Sequence, residues 1–590
     1  MCTKIRSHCL PLYIHTMSPP CRGASVQVQP HAMAKTKLFP ALFSLLLHGG
    51  AATLPPPRVP AVTVHRCTPP AARLSAGGEK TVTMVVDVEG ALLRSSSSRS
   101  LFPYFMLVAV EAGSFLRGLL LLLLYPVISL LAGAGGGDVA VRAMAAVAFC
   151  GLRESRFRAG RTVLPRWLLD DVGKEAVDAI VTLTRRRSSP AATATVVWAS
   201  SMPRVMVEPF LREYMAAAEG GGEVVVAARE MKVVWGFYTG VMEDGGEVAA
   251  ASPEVRRAME GVDDVVGFSG GSMDLLRSPL VSFCKEVYVV SHEEKSKWRP
   301  LPRRREYPRP LVFHDGRLAF LPTPLAAAAM LVWLPFGAAL AATRLAVALA
   351  LPYRHATLLL AATGQSWRLR GSPPPTPTPP PRRATGERRR GQLYVCNHRT
   401  LIDPVYVSIA LDRPVRAVSY SLSRVSDLLS PIGATVRLAR DRAHDGAAMA
   451  RLLEAGAHVV VCPEGTTCRE PYLLRFSPLF AELADGVVPV ALAAEAAAFH
   501  GTTAGGWKSM DALCYLANPR MCYTVEFLPA VDASPVREGK AASTELANAV
   551  QRRVAEALGY ESTMLTRKDK YLMLAGNDGV VRRRGDVGAK

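Results

Sequence analysis

The sequence predicts two α/β domains separated by a long apolar segment. In both halves of the chain, short valine-rich runs alternate with helix-like stretches, a pattern typical of parallel sheets covered by helices. Between the halves lie about thirty mostly apolar residues, enough to reach across a bilayer or to dip into one leaflet. At 590 residues, the chain is long enough for two cores together with membrane elements.

Residues 1–80 are predicted to be a disordered leader or targeting segment. Residues 1–78 contain no acidic side chain but eight Lys or Arg, a composition typical of transit peptides. Two other interpretations stay open: Leu38–Leu47 is a short hydrophobic anchor, or translation begins at Met33. The apolar run is too short to span a bilayer as a helix.

The first domain is predicted over residues 81–318. Strands are expected at Val82–Asp87, Thr195–Trp198, Val224–Ala227 and Val287–Val290, with helices such as Pro203–Ala217 between them. Residues 101–132 are strongly apolar, although they carry Glu111 and Arg117. A membrane helix, an in-plane hairpin and a pair of buried core helices all fit this composition.

Residues 319–370 are predicted to form an apolar membrane hairpin. The apolar stretch 324–353 is interrupted at Pro335 and Gly337, which predicts two short helices. A proline- and arginine-rich linker follows over residues 371–390. Its cations favour anionic lipid headgroups on the cytosolic face.

The second domain is predicted over residues 391–560, followed by a basic tail at 561–590 that is expected to be frayed from Arg567 onward. Its expected strands are Leu393–Cys396, Val415–Val418, His458–Cys462, Val487–Leu492 and Tyr523–Leu528. Helical stretches separate these strands, so the second domain is again an α/β structure.

The chemistry is predicted to lie directly after the first strand of this domain. His398 stands five positions before Asp403, and a histidine oriented by a carboxylate can take a proton from an alcohol. We therefore expect His398 to be a general base and Asp403 its orienting carboxylate.

Four blocks, in order, resemble the motifs of the glycerolipid acyltransferases: Asn397–Pro404, Pro431–Arg442, Pro463–Thr466 and Val487–Val490. Three further segments resemble the land-plant glycerol-3-phosphate acyltransferases linked to extracellular lipid polyesters: Phe313–Leu318, Cys462–Phe476 and Gly501–Lys508. The resemblance spans roughly residues 82–570, most of the chain.

This resemblance implies transfer of a fatty acyl group from acyl-CoA to sn-glycerol 3-phosphate, at the sn-2 hydroxyl, in cutin, suberin or glycerolipid biosynthesis. It assigns Arg440 and Arg442 to the acceptor phosphate, which a planar guanidinium can bind bidentately. It assigns Glu464, Gly465 and Thr466 to acceptor binding. Acyl-CoA is a co-substrate, and no cofactor or metal is expected. The implied location is the endoplasmic reticulum membrane, with mitochondria or plastids as alternatives.

The first domain resembles the haloacid-dehalogenase-like phosphatases, but with a degenerate motif. The first motif should read Asp-x-Asp-Gly-Thr; here Asp87 is kept, while Glu89 and Ala91 replace the second aspartate and the threonine. Of the metal-binding acidic motif only Asp274 is left. Because a phosphoaspartate mechanism needs Mg²⁺ beside the nucleophile, we expect no phosphatase activity.

An alternative function comes from Gly267–Gly271, which fits the Gly-x-Ser-x-Gly pattern of serine hydrolases. It would make the protein a membrane-associated lipid esterase that uses Ser269. A non-catalytic membrane scaffold is disfavoured, because both His398 and Asp403 are present.

The composition limits the possible partners. A net charge of +20 together with 49% hydrophobic residues suits membrane lipids and phosphorylated substrates. No motif typical of nucleic-acid binding accompanies the charge, so nucleic acid is not an expected partner. The 11 cysteines form no Cys-x-x-Cys pair and are expected to be reduced. The oligomeric state is left open.

Overall fold

The computed structural model describes residues 63–66, 82–95, 101–134, 136–187, 195–215, 224–243, 252–260, 262, 264–270, 279–301, 313–373, 390–419, 432, 435–505 and 508–575. Most of the predicted leader and most of the 371–390 linker lie outside these residues. So do Asp274 and the last part of the predicted tail.

The first domain is built on six parallel strands. Its strands, with the separate β5–β6 hairpin, are β1 Thr63–Arg66, β2 Val82–Asp87, β3 Thr195–Ala199, β4 Val224–Ala227, β5 Met231–Val234, β6 Phe237–Met242, β7 Asp264–Gly270 and β8 Glu286–Val290. The sheet order is β1-β8-β7-β2-β3-β4, so the carboxyl ends of β7, β2 and β3 lie side by side. The edge strand β1 falls within the predicted leader.

Helices cover this sheet and form the first core. They are α1 Phe102–Leu107, α2 Phe115–Gly133, α3 Gly137–Phe149, α4 Ala159–Thr162, α5 Leu164–Asp171, α6 Lys174–Arg187, α7 Arg204–Phe210, α8 Pro253–Met259 and α9 His292–Ser296. Short π-helical turns at Val88–Leu92, Val108–Gly113 and Leu211–Met215 and 3₁₀ turns at Glu154–Arg156 and Pro279–Phe283 complete the domain.

The apolar segment 101–132 divides at Ser114 into two parts with different surroundings. Residues 101–110 are buried in the core of the first domain. Helix α2 is instead largely exposed, with Leu116, Leu123 and Leu130 at 78%, 67% and 74% exposure. Both a core helix and a membrane-length helix therefore occur in this segment.

A second exposed apolar helix, α10, spans Pro324–Ala350. It runs unbroken through Pro335 and Gly337, so the expected pair of short helices is instead one continuous helix. Among the described residues, α2 and α10 are the two helices long and apolar enough to cross a membrane.

The second domain has a mixed sheet with the order β12-β11-β13-β10-β15-β16-β9, and β17 pairs with β15. The strands of this domain are β9 Gln365–Arg370, β10 Leu393–Cys396, β11 Arg416–Ser419, β12 Val436–Arg437, β13 Val459–Val461, β14 Tyr472–Leu473, β15 Gly486–Ala496, β16 Met521–Phe527, β17 Val531–Asp532 and β18 Glu561–Ser562. Strand β9 lies within the predicted membrane hairpin, but it pairs in parallel with β16 and so belongs to the second domain.

The helices of the second half are α11 Tyr353–Ala362, α12 Asp403–Leu411, α13 Arg442–Glu454, α14 Lys508–Leu516, α15 Ser534–Arg537, α16 Ser543–Leu558 and α17 Arg567–Ala575, with a 3₁₀ turn at Pro478–Glu482. The last helix corrects the prediction of a frayed tail. Lys570 on α17 is buried and donates from Nζ to the Thr467 carbonyl oxygen at 2.6 Å.

The apolar helix α10 is fastened to the second domain by its single charged residue, Arg344. This side chain is fully buried, and Nη1 donates to the carbonyl oxygens of Leu516 and Asn518 at 2.6 and 2.7 Å. Nε donates to Thr363 Oγ1 at 3.0 Å. Because Leu516 ends α14, the cation also faces the negative end of that helix dipole.

Replacing Arg344 with Met is expected to destabilise the protein. Each buried carbonyl that loses its donor costs about 1–3 kcal/mol, so the thermal midpoint in detergent should fall by several degrees. The matched control is Arg354→Met, because the Arg354–Asp412 pair (2.8 Å) is exposed and exposed pairs contribute little. Equal midpoints for the two variants would contradict this role of Arg344.

Candidate active site

His398 lies in the loop that follows β10, at the centre of the second sheet. The preceding residue, Asn397, holds this loop to the neighbouring strand β15. Its Nδ2 donates to the Leu492 carbonyl oxygen at 2.9 Å, and its Oδ1 accepts from Leu492 N at 2.8 Å. Asn397 therefore continues the ladder between the strands for one more residue and fixes where the His398 loop begins.

Asp403 orients the His398 ring. His398 Nδ1 lies 2.9 Å from Asp403 Oδ2, and the carboxylate is fully buried at the start of α12. The same Oδ2 accepts from Arg399 N at 2.6 Å. The other oxygen accepts from Thr400 N at 2.8 Å, from Thr400 Oγ1 at 2.9 Å and from the Tyr523 hydroxyl. With both oxygens engaged, the carboxylate cannot rotate away from the ring.

Glu464 supports the His398 loop from the opposite side. It is buried, with Oε1 accepting from His398 N at 2.7 Å and Oε2 accepting from Leu474 N at 2.9 Å. Burial raises its pKa to about 7, although the two backbone donors oppose the shift. Both Glu464 oxygens thus accept hydrogen bonds from backbone N–H groups, and the role in acceptor binding that the resemblance implies stays a prediction.

Arg399 is a structural residue of the site that the sequence analysis missed. Its guanidinium donates to three consecutive carbonyl oxygens, those of Cys468, Arg469 and Glu470, at 2.6–2.7 Å. The Cys468 N–H in turn donates to the His398 carbonyl oxygen at 2.7 Å. Arg399 therefore clamps the loop 468–470 against the loop that carries His398.

A cavity of about 410 Å³ lies beside the His398 loop. Its lining includes His398, Arg440, Glu464, Gly465 and Thr466. Five of the predicted site residues therefore share one cavity. Gly465 has φ of 69°, a left-handed conformation that glycine adopts without strain and that shapes the turn at the cavity wall.

Arg440 and Arg442 face different surroundings. Arg440 lines the cavity, and its backbone N–H donates to Asp445 Oδ2 at 3.0 Å, which holds the turn before α13. Arg442 does not line the cavity; its guanidinium pairs with Glu482 on the surface. Arg442, which was predicted to bind the acceptor phosphate, therefore lies outside the set of residues that line this cavity. Two arginines that the sequence analysis missed, Arg475 and Arg567, also line the cavity.

Cys462 lies beside His398 and contacts Cys396, with the two sulfurs 3.5 Å apart. The hydrogen bond with Cys396 and burial raise the pKa of the Cys462 thiol well above its usual range. A thiol that stays protonated at neutral pH is a weak nucleophile. This agrees with a site that needs no covalent intermediate.

The pKa of His398 is raised above its usual range. Burial lowers it, but contacts with Cys462 and with the Asp403 carboxylate outweigh burial. Of these two partners, the Asp403 carboxylate lies 2.9 Å from the ring nitrogen Nδ1. The imidazole is thus held by a partner that stabilises the imidazolium formed when it accepts a proton.

The same three residues could be considered as metal ligands. Among the described residues, His398, Asp403 and Cys462 bring ligand atoms within 4.8 Å of one another. A metal ligand must present a free lone pair and, for cysteine, a thiolate. Both Asp403 oxygens already accept hydrogen bonds, and the pKa of Cys462 is raised. Both Asp403 oxygens are thus satisfied by hydrogen bonds without a metal ion.

The segment Phe313–Leu318 joins the two domains next to this site. Arg469 donates to the carbonyl oxygens of His314 and Gly316, at 2.7 and 2.6 Å. Arg317 Nη1 lies 2.8 Å from Asp511 Oδ1. The chain that leaves the first domain is therefore bonded to the loop that Arg399 clamps.

The phosphatase-like residues form a separate cluster at the carboxyl ends of β2 and β3. The Glu89 carboxylate accepts hydrogen bonds from the Ser200 hydroxyl (2.6 Å) and from the backbone N–H groups of Ser201 (3.2 Å) and Met202 (3.3 Å). A hydroxyl and two N–H groups arranged in this way suit a phosphoryl group. In this chain Glu89 occupies them.

The carboxylate of Asp87 also accepts hydrogen bonds on both of its oxygens. Its Oδ1 accepts from Gly90 N at 2.8 Å and its Oδ2 from Ser269 Oγ at 3.1 Å. Burial and the charge of Glu89 raise its pKa to about 7. Lys295 Nζ donates to the Glu89 carbonyl oxygen at 2.8 Å.

Ser269 does not have the surroundings of a hydrolase nucleophile. It lies within β7, is fully buried and donates its hydroxyl to Asp87. A nucleophile elbow instead presents an exposed hydroxyl between a strand and a helix, beside a histidine. The esterase alternative is therefore withdrawn.

The chain matches two family profiles. One, described as "Glycerol-3-phosphate acyltransferase RAM2-like, HAD-like domain", matches residues 83–290, and one described as "Acyltransferase" matches residues 381–493. These matches confirm the predicted fold class, with a haloacid-dehalogenase-like first domain and an acyltransferase second domain.

Individual proteins that match most of this chain belong to the same family as the two profiles indicate. The chain is 45% identical over 505 residues to "Probable glycerol-3-phosphate acyltransferase 3" of Arabidopsis thaliana, covering 85% of this chain and 91% of the relative. It is 42% identical over 511 residues to "Glycerol-3-phosphate acyltransferase 1" of the same plant, covering 85% and 82%. It is 38% identical over 507 residues to "Glycerol-3-phosphate acyltransferase RAM2" of Petunia hybrida, covering 85% and 99%.

The raised pKa of His398 predicts how this residue reacts with diethyl pyrocarbonate, which modifies neutral imidazole. Modification of the His398 peptide, followed by mass spectrometry, should increase with pH through a midpoint above 6.5. Asp403→Asn should move the midpoint to lower pH, because the neutral amide no longer stabilises the imidazolium. An unchanged midpoint in this variant would show that Asp403 does not control the ring.

Proposed function

The chain belongs to the glycerol-3-phosphate acyltransferase family, and we propose that it transfers a fatty acyl group from acyl-CoA to sn-glycerol 3-phosphate, forming lysophosphatidate. That it is an acyltransferase follows from the family. The observation that carries the mechanism is the His398–Asp403 pair, 2.9 Å apart at the wall of a cavity lined by arginines.

In the proposed reaction, neutral His398 accepts the proton of the acceptor hydroxyl while the oxygen attacks the thioester carbonyl. Asp403 stabilises the imidazolium, which then returns the proton to the departing CoA sulfur. Arg440 is proposed to bind the acceptor phosphate, and the new candidate Arg475 lines the same cavity. Gly465 and Thr466 form the wall against which the acceptor lies.

The regiochemistry is part of the proposal and rests on the resemblance to the plant family. We propose the sn-2 hydroxyl as the acceptor, with the product entering cutin, suberin or glycerolipid synthesis. We also propose a location in the endoplasmic reticulum membrane. The two exposed apolar helices α2 and α10 support membrane association, and the choice of compartment rests on the resemblance to the plant family.

The first domain is proposed to lack phosphatase activity. Glu89 fills the group of donors that would hold a phosphoryl group, and both Asp87 oxygens accept hydrogen bonds. An attacking aspartate needs a free oxygen and a bound phosphoryl group. Neither requirement is met by this arrangement, so the product is expected to keep its phosphate.

Replacing His398 with Ala is expected to reduce acyl transfer by about 10²- to 10⁴-fold, the usual contribution of a general base. The assay uses purified membranes, radiolabelled glycerol 3-phosphate and acyl-CoA, with positional isomers resolved by chromatography. The control is His355→Ala, because His355 is exposed on α11 and does not line the cavity. Retention of wild-type activity in His398→Ala would refute the proposed base.

Products are expected to be the same whether the assay contains magnesium or EDTA. Because the proposed reaction uses no resident metal and Glu89 occupies the phosphatase-like cluster, both conditions should yield lysophosphatidate and no released phosphate. The measurement is the ratio of lysophosphatidate to monoacylglycerol together with free phosphate. Magnesium-dependent monoacylglycerol would disprove the inactive phosphatase, and loss of acyl transfer in EDTA would disprove metal-independent catalysis.

A further inference from the structure

A second cavity borders the catalytic one along the first turn of α17. It has a volume of about 620 Å³. Thr566, Arg567 and Tyr571 line both cavities, so the two are neighbours across these three residues. The part of the chain predicted to be a frayed tail therefore forms the boundary between them.

Both domains contribute to this second cavity. Arg158 and Thr162 come from the first domain, at the start and end of α4, while Arg567 and Lys568 come from the second. The two walls are bonded to each other, since Arg161 Nη1 donates to the Ala575 carbonyl oxygen at 3.3 Å. The cavity therefore lies where the first and second domains meet.

The charge of the second cavity is positive. Among the described residues, Arg158, Arg567 and Lys568 line it, together with one carboxylate, Asp315. The Asp315 oxygens accept from Ala504 N at 2.7 Å and Gly505 N at 2.9 Å, and Arg469 Nη2 lies 3.7 Å from Oδ1. Because this carboxylate is already compensated, the three cations can attract an anionic ligand.

We propose that the second cavity binds the nucleotide-phosphate end of the acyl-CoA donor. This inference rests on the proposed function. A donor whose thioester lies at His398 must extend its pantetheine arm and phosphorylated nucleotide out of the catalytic cavity. The neighbouring cavity offers cations beside that path, and polyphosphate groups are bound by such clusters. The first domain, without phosphatase chemistry, then acts as part of the donor site through Arg158.

The test compares two donors with the same acyl chain, acyl-CoA and acyl-pantetheine, which lacks the nucleotide and its phosphates. Arg158→Ala and Lys568→Ala should each raise the KM for acyl-CoA about tenfold, the usual effect of losing one charge-assisted hydrogen bond. The KM for acyl-pantetheine and the KM for glycerol 3-phosphate should stay at wild-type values. Activity with acyl-pantetheine also shows that each variant is folded. Arg553→Ala, on the exposed face of α16, is the matched control.

Other outcomes separate the competing explanations. Equal KM changes for both donors, or no change, would overturn the donor site. If the variants instead reduce sedimentation with phosphatidylserine vesicles at an unchanged acyl-CoA KM, the cations bind lipid headgroups and the proposal is wrong. Wild-type protein that acylates glycerol 3-phosphate with neither donor would refute the proposed function itself, which distinguishes that failure from failure of the site.

Discussion

The buried carboxylate of Asp403 is the constraint on which the active site depends. A fully buried carboxylate is stable only when its oxygens are satisfied. Here each oxygen accepts hydrogen bonds from the loop that carries His398, and one of them also accepts from the Tyr523 hydroxyl on β16. The same bonds that compensate burial also fix the ring. Tyr523 is itself stacked on Tyr406, with ring centroids 3.8 Å apart, so α12 and β16 together limit how the carboxylate can move.

A second set of contacts ties this pair to the rest of the molecule. Asn397 connects the His398 loop to β15, and Glu464 connects it to the loop after β13. Arg399 clamps the loop Cys468–Glu470, which Arg469 bonds to the segment leaving the first domain. Buried residues therefore hold the site together, while the more exposed arginines Arg440 and Arg475 line the cavity where a ligand would lie. This division places positioning in the interior and recognition at the cavity wall.

Most of the fold was predictable from local pattern, since buried parallel strands are short β-branched runs and the motif blocks follow them directly. The His398–Asp403 pair was predictable because its spacing is set by one loop.

Other features of the structure depend on partners that are distant in sequence. Strand β9 pairs with β16, which lies far along the chain, and Arg344 is satisfied by carbonyls at the end of α14. The surroundings of Glu464 and Arg442 were not predictable, because the sequence does not show that backbone amides contact Glu464 and that Glu482 pairs with Arg442. The helix α17 was not predicted, because the basic composition of this segment suggested an exposed tail and gave no sign that Lys570 and Leu574 are buried.

The central claim is that His398, held by Asp403, removes a proton from the acceptor alcohol. Its most direct test is the pH dependence of kcat/KM for glycerol 3-phosphate in the wild type and in Asp403→Asn. The account predicts a wild-type rate that falls as pH drops through a midpoint above 6.5, because protonation removes the base. The variant should be slower, with its midpoint shifted to lower pH. A wild-type rate that stays flat into the acid range, or an unshifted midpoint in the variant, would contradict the account.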